Sequence, residues 1–426
     1  MKIGILGYGK EGKSAEKYFK TKTNEIEIID NFTTEELQQK DFSQFDLILR
    51  SPSVHPQSNF SSMTKYFFDH CPCPIIGVTG TKGKGTTCSI ITDLLKNLDK
   101  NVYLIGNIGN PALDILDQLG TNDIVVYEMS SFQLWDLHKS PHIAVILGIE
   151  PDHLNVHDNY TDYINAKANI AKHQSPDDFC IYYRNNPDTI QIAEQSLARK
   201  ISYPITNDYL DTITAHIAIP GQHNRENAQA ALLAVASFYQ LPLETFLERY
   251  QETIIQTLEN FHGLPHRLQY LRELNGVKYY DDNFSTTPTS LKVALGAFPD
   301  NPIILIAGGR DKTANQDLPE IADLIQNTSA IAHLILIGES GQELYSLLSE
   351  KMLENITKAG SLSEAVNLAT ATAEKIVQSN HLQNQPSNDT TKTPIVLMSP
   401  AAASFDMFES VYDRGAQFQK LVQDLQ

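Results

Sequence analysis

The stretch "GVTGTKGKGTT", Gly77–Thr87, decides how this chain is to be read. It follows the apolar "PII" and runs into "CSIITDLL", so a buried strand turns through glycines straight into a helix. Loop N–H groups and a helix N-terminus then face one spot, which makes an anion site. Lys84 is the phosphate-loop lysine, and such a lysine is ordinarily followed at once by a Ser or Thr that serves Mg²⁺. Here Gly85 intervenes, and the hydroxyls come at Thr86 and Thr87. Gly80, Thr81, Lys82, Gly83, Lys84, Gly85, Thr86 and Thr87 are therefore candidate nucleotide-phosphate residues. The plainer alternative is a glycine-rich turn with an exposed lysine, and the strand–loop–helix context disfavours it.

Outward from this loop the chain reads as three α/β blocks. The first has strands in "KIGILGYG", "EIEIIDN" and "FDLILRSPSV", with a helix over "KEGKSAEKYFK". The second adds strands "NVYLIG", "DIVVYEMS" and "IAVILGIE", and a late helix "NRENAQAALLAVASFYQ". The third runs from "HGLPHRLQYL" through "VKYYDD", "NPIILIAGGR", "AHLILIGES" and "TPIVLMSP", with helical sequence between strands. Alternation of this kind predicts an α/β fold with parallel sheets covered on both faces. The expected divisions are 1–73, 74–264 and 265–426, with "HCPCPIIG" as a linker between the first two. Residues 378–394, polar and without apolar period, are expected to be a surface loop.

The 426 residues are 41% hydrophobic and 20% charged, an ordinary globular composition. The formal charge is 33 − 51 = −18, which argues against a general nucleic-acid or anionic-membrane surface. "MKIGILGYGK" lacks the sections of a signal peptide, and no apolar run approaches the ~20 residues that span a bilayer. Four cysteines are too few for a disulfide framework. Cys71 and Cys73 form a C-x-C pair without a second pair at zinc spacing, so they read as reduced thiols. A cytoplasmic monomer is expected.

Other candidates follow from position. "GYGKEG", Gly7–Gly12, matches G-x-G-x-x-G after a strand, and Asp30 ends the next one. Those residues suit a dinucleotide, another pyrophosphate ligand, or merely tight strand–helix packing. Glu128 ends a strand of the second block, where a carboxylate is well placed for Mg²⁺. "GIEPDHLNVH" brings His153 to the same edge as a metal ligand, a base or a structural histidine. Lys167 sits on a helix, where a lone lysine is ordinarily solvated. Asn224 and Asn227 share a helix face and could bind a base or ribose, or cap the helix.

The order of these motifs resembles the Mur ligases, ATP-dependent amide-bond-forming enzymes of peptidoglycan precursor synthesis. The resemblance runs through "GYGKEGKS", "GVTGTKGKGTT", "GNIGNPAL", "EMSSFQL", "DHLNVH", "AKANI", "GQHNRENAQAA", "GLPHRL", "DDNFSTTP", "GGRDK" and "SPAAASFDMF". "SSFQL" and "SPAAASFD" point to members that add D-glutamate to UDP-MurNAc-L-Ala. The family implies three domains: a Rossmann-like block for the UDP part, a P-loop ATPase with a parallel sheet, and a C-terminal Rossmann-like block. It implies ATP and Mg²⁺, an acyl-phosphate intermediate, and small-molecule substrates without nucleic-acid or membrane partners.

Carried over by motif, Lys84, Glu128, His153 and Lys167 are catalytic. Thr86, Glu128, His153 and a carbamylated Lys167 hold the metal. Asn227, Arg267 and Asp282 contact ATP. Gly7, Lys10, Glu11, Ser14, Asp30, Asn31, Asn107 and Ser130 line the muramoyl nucleotide, and Thr286, Lys312, Ser404 and Phe405 take the incoming amino acid. The chain departs from the pattern at three places. "GTKGKG" is like folylpolyglutamate synthases, Phe284 stands where many D-glutamate ligases carry lysine, and Ser53 replaces a common glycine. The alternatives are thus a ligase acting on folate, a Mur ligase for another amino acid, or a nucleotide-binding regulator. A dehydrogenase would leave the phosphate loop unexplained.

Overall fold

The computed structural model describes residues 1–23, 25–310, 317–348, 354–382 and 393–426. Its strands form three sheets. The first holds β1 (Lys2–Leu6), β2 (Glu25–Ile29), β3 (Leu47–Arg50) and the short β4 (Ser61–Ser62), all parallel in the order β2-β1-β3-β4. The second holds β5 (Ile75–Thr79), β6 (Val102–Gly106), β7 (Ile124–Glu128), β8 (Ile143–Ile146), β9 (Phe179–Tyr183) and β10 (Arg199–Tyr203). It is wholly parallel, in the order β10-β9-β8-β5-β7-β6. Apolar runs such as "IIGVT" and "IVVYE" are buried along their whole length because helices cover both faces.

The connections explain where a ligand can sit. From β5 the chain passes to β6 and β7 on one side, then crosses to β8 on the other. The crevice where connections diverge opens at the carboxyl ends of β5 and β8. The phosphate loop leaves β5 there, in register with Glu128 of β7 (opposite Val78) and Ile146 of β8 (opposite Thr79). The helix Lys84–Asn97 behind the loop fully buries Ile90, Ile91, Leu94 and Leu95, each contributing about 1.5–3 kcal/mol of transfer free energy. The loop is thus anchored at both ends by core.

Contacts group residues Met1–Ile217 with His223–Glu259 as one compact unit, and Ala218–Gln222 with Asn260–Gln426 as another. In the first unit a single apolar cluster joins Ile3, Phe19 and Phe67 beside the first sheet to Tyr127, Ile146 and Tyr163 beside the second. The second unit contains β11 (Gln269–Leu274), β12 (Val277–Asp281), β13 (Ile303–Gly308), β14 (Ile331–Ile337), β15 (Ile356–Lys358) and β16 (Ile395–Met398). Their order is β11-β12-β16-β13-β14-β15, with an apolar cluster on each face.

Two expectations need correction, and two further features had no counterpart in the sequence pattern. β11 and β12 are an antiparallel hairpin with no helix between them, because "ELNGVK" supplies a tight Asn-Gly turn. β9 and β10 extend the second sheet and had no counterpart in the pattern reading. The helix Leu362–Leu382 covers 378–382 of the expected loop, and 383–392 lie outside the described residues. The stretch before "CPCP" is helical, Met63–His70. Among the described residues no single helix is long and apolar enough to cross a membrane.

Candidate active site

The helix Lys84–Asn97 has Gly83 as N-cap, with φ +82 and no side-chain cap bond, which leaves its first N–H groups for a ligand. A Cβ on Gly83 would fall 2.6 Å from Asn227 Oδ1, so glycine is required by backbone and by space, and Asn227 lies against the loop. The next strand-end loop braces the phosphate loop from β8. Thr81 N donates to Gly148 O, Thr81 Oγ1 to Glu150 O at 3.0 Å, and Glu150 N back to Thr81 Oγ1 at 2.9 Å. Lys82 is exposed and pairs with Glu150 at 3.4 Å.

Two lysine side chains converge on one carbonyl. Lys84 Nζ donates to Gly80 O at 3.0 Å and Thr81 O at 2.9 Å, and Lys167 Nζ donates to Gly80 O at 2.9 Å. Lys167 is not the solvated lysine its helix suggested: it is 2% exposed, with Nζ 4.6 Å from the Tyr163 ring centre. Burial first, and then the Lys84 charge, push its pKa well below the ordinary lysine value, against a smaller pull from Asp152. The neutral amine so favoured is the form that can take up CO₂ as a carbamate.

The remaining metal candidates are less tightly gathered. Glu128 ends β7 and is buried. His153 lies on the β8 loop with φ +55, half-exposed, 3.5 Å from Asp152 and packed on Phe132 at 5.1 Å. Among the described residues no three His, Cys, Asp or Glu side chains come together as a ligand group. The donor set nevertheless suits Mg²⁺ in kind, since a Lys167 carbamate would add the hard oxygen that an ammonium lacks. Of the two hydroxyls, Thr86 is half-buried at the helix start, while Thr87 is sealed in the core. Thr86 is the one a solvent-borne cation can reach.

In the first sheet Gly7 has φ +83, and Tyr8 N donates to Asp30 Oδ1 at 3.1 Å. A Cβ on Gly12 would lie 2.2 Å from Gly7 O, so this glycine serves strand–helix packing. Lys10, Glu11 and Ser14 reach the second block instead of standing open. Lys10 Nζ donates to Gly109 O at 3.0 Å, Ser14 Oγ to Asp114 at 3.1 Å, and Gln133 Nε2 to Glu11 at 2.7 Å. Burial holds the Glu11 carboxyl above the usual range despite that bond. Ser130 forms a capping box with Gln133, and Asn31 and Asn107 are exposed at strand ends.

In the second unit Arg267 is exposed, between His266 (φ +63) and Leu268 (φ +44). Left-handed backbone at two bulky residues costs roughly 1 kcal/mol or more each and persists only when over-determined. Here His266 Nδ1 donates to Asp281 Oδ2 at 2.7 Å, Leu268 N to Asp282 Oδ1 at 3.1 Å, and Phe284 N to His266 O at 3.0 Å. Phe284 lies 5.6 Å beneath the Arg267 guanidinium, so the aromatic that replaces a lysine attracts this arginine where a second cation would repel it. Ser399 Oγ donates to Asp282 at 2.8 Å, yet burial, with Asp281 adding to it, pushes Asp282 up to about 7.

Thr286 follows the same strand end. Arg414, fully buried, donates to Asn283, Ala402 and Ala403 and braces the loop that carries Ser404 and Phe405. Ser404 Oγ is buried without a hydrogen-bond partner among the described residues, and Phe405 is exposed. Lys312 lies outside the described residues.

Several residues escaped the sequence reading. His157 Nε2 meets Ser131 Oγ at 2.8 Å and Nδ1 meets Asp162 Oδ2 at 2.6 Å. This has the layout of a nucleophilic triad, but Ser131 and His157 are each 2% exposed, so it acts as a strut between two helices. Arg50, fully buried, pairs with Asp136 at 2.6 Å and donates to Phe132 O. Spacing alone could not have found Arg50–Asp136 or Ser131–His157, whose partners are far apart in sequence, although His157 and Asp162 are near neighbours. "DHLNVHDNYTD" did signal a polar cluster.

Comparison with known proteins bears on these residues. Residues 78–235 match the Mur ligase middle domain, and 266–378 match the Mur ligase glutamate ligase domain. The chain is 32% identical to a UDP-N-acetylmuramoylalanine–D-glutamate ligase of Clostridium acetobutylicum, covering 94% of this chain and 88% of that one. It is 31% identical to the enzyme of the same name from Clostridium kluyveri, covering 90% and 84%. Its fold is similar to the UDP-N-acetylmuramate–alanine ligase of Thermotoga maritima (TM-score 0.58, 16% identity, 99% of each chain). It is also similar to a folylpolyglutamate synthase of Thermotoga maritima (TM-score 0.56, 14% identity, 85% of this chain and 93% of that one).

Proposed function

This chain belongs to the Mur ligase family, and we propose that it joins D-glutamate to UDP-N-acetylmuramoyl-L-alanine with ATP and Mg²⁺, through an acyl phosphate. The observation that carries this reading is the meeting of Lys84 and Lys167 at the Gly80 carbonyl, one residue beyond β5. Carboxylate activation brings two anions together; the Lys84 ammonium at that point, and the metal ion that a carbamylated Lys167 would help to hold, offset their repulsion.

The residues divide the work as follows. The phosphate-loop amides and Lys84 hold the β- and γ-phosphates, with Asn227, Arg267 and Asp282 as further ATP contacts. The substrate carboxylate attacks the γ-phosphorus, ADP leaves, and the mixed anhydride has phosphate as its leaving group. The incoming amine then attacks the acyl carbon, and phosphate departs. Bound Mg²⁺, on Thr86, Glu128, His153 and carbamylated Lys167, would supply charge neutralisation at the transferring phosphoryl. Gly7, Lys10, Glu11, Ser14, Asp30, Asn31, Asn107 and Ser130 belong to the muramoyl-nucleotide side. Thr286, Lys312, Ser404 and Phe405 belong to the amino acid.

In this reading 1–73, 74–264 and 265–426 are the UDP-substrate, ATPase and amino-acid parts of a cytoplasmic monomer. The −18 charge is in keeping with partners that are small molecules held in local cationic sites. Fold similarity does not separate this enzyme from folylpolyglutamate synthases, but the names of the relatives above 30% identity favour the D-glutamate reaction. Oxygen transfer tests the mechanism. With ¹⁸O in the substrate carboxylate, one labelled oxygen should appear in the released phosphate. Unlabelled phosphate during full turnover would exclude the acyl phosphate.

A further inference from the structure

Cys71 and Cys73 stand outside the site described above. The helix Met63–His70 ends on Cys71, whose N–H donates to Phe67 O at 2.8 Å. Pro72 cannot continue the helix, and Cys73 precedes Pro74 and the first residue of β5. The two sulfurs are 3.6 Å apart, and Cys71 Sγ also lies 3.5 Å from Cys73 O. Cys71 is half-buried and Cys73 buried, whereas Cys88 and Cys180 are fully enclosed in the core. One thiol of the pair is therefore accessible, and its partner waits behind it in van der Waals contact. The Cys73 thiol also favours the thiolate at Cys71, while its hydrogen bond to Cys71 first, and then burial, opposes ionisation of Cys73.

We propose that Cys71 and Cys73 are an attacking and resolving pair that closes a reversible disulfide by exchange with low-molecular-weight disulfides. The Cys71 thiolate attacks one sulfur of RSSR and expels RS⁻, which takes up the proton Cys71 lost. Cys73 then gives up its proton and attacks the Cys71 sulfur of the mixed disulfide, and the second RS⁻ leaves and is protonated. The balance is protein dithiol plus RSSR giving protein disulfide plus two RSH. Only Pro72 lies between the cysteines, so the closed ring is small and strained. Strained, accessible disulfides are the easily reduced ones, which makes this bond reversible by excess thiol. It would lock the turn that feeds β5, the strand whose far end carries the phosphate loop. The proposal stands independently of which substrate the enzyme takes.

The test uses the reduced full-length chain with excess oxidised glutathione, acid quenching, intact mass and peptide mapping. The expected product has lost two hydrogens, carries no glutathione, maps to Cys71–Cys73 and reverts with dithiothreitol. It should form at least about tenfold faster than any reaction at Cys88 or Cys180. Cys73→Ser, checked for folding by circular dichroism, should instead accumulate a glutathione adduct at Cys71. A lasting wild-type adduct with Cys73 still free, or loss of thiols at the rate of Cys88, would overturn the proposal; the wild-type measurement decides even if the variant fails to fold.

Discussion

Lys167 is the residue whose surroundings carry most meaning. Burying an amine beside a second ammonium costs stability, so its presence needs a functional reason. Lys167→Met should lower turnover by roughly 10²-fold or more while leaving the urea midpoint unchanged or raised. Lys167→Ala should regain part of its activity with added formate or acetate. Wild-type rates in either variant would remove the carbamate role. At the phosphate loop, Thr86→Ala should damage magnesium-dependent turnover far more than Gly85→Ser, because Thr86 alone of the two threonines is open to a cation. Equal effects in steady-state assays would move the hydroxyl's role elsewhere. Asp282 makes a pH prediction, since its folded pKa is raised to about 7 by burial. Between the unfolded pKa and about 7 the unfolded chain binds fewer protons, so this group lowers stability as pH rises. Asp282→Asn should therefore gain stability relative to wild type from pH 4 to pH 8, by up to about 4 kcal/mol. Parallel stability curves for the two proteins would contradict the burial of this carboxyl.

Helices and strands show which readings local pattern can support. Gly83 and the apolar runs around it define β5, the loop and the helix Lys84–Asn97, because strand period, glycine backbone and helix start all agree there. β9 and β10 were missed because "FCIYY" and "RKISY" are short and β10 is half-exposed, so neither shows a clean period. The antiparallel β11–β12 hairpin was hidden by the expectation of crossover helices, although Asn275-Gly276 marked it. Site candidates tied to a motif could be named from sequence, but the residues that support them could not. Arg50 and Asp136, or Asp281 and His266, meet only through tertiary packing. The Ser131–His157–Asp162 strut belongs here too, since it holds the helix Tyr160–Lys172, which carries Lys167. His157→Phe keeps the stack on Phe132 but leaves Ser131 and Asp162 short of a partner. It should cost about 1–3 kcal/mol in urea denaturation, and no change would mean the strut bears no load.

Across the chain, the three sheets agree with the alternation read from sequence except at the antiparallel β11–β12 pair, and Asp30, Glu128 and Asp282 all fall at carboxyl-terminal strand ends. Composition contributed the exclusions: a −18 charge leaves little role for a general polyanion surface. What pattern could not supply is the choice of amino acid, because Phe284 replaces a familiar cation and pairs with Arg267 instead. One assay addresses the central claim directly. Phosphate release from ATP should be measured with UDP-MurNAc-L-Ala alone, with D-glutamate alone, with both, with L-glutamate in place of D-glutamate, and with a folate plus L-glutamate. Release only when UDP-MurNAc-L-Ala and D-glutamate are present together is the predicted result; turnover with folate and none with the muramoyl nucleotide would contradict it.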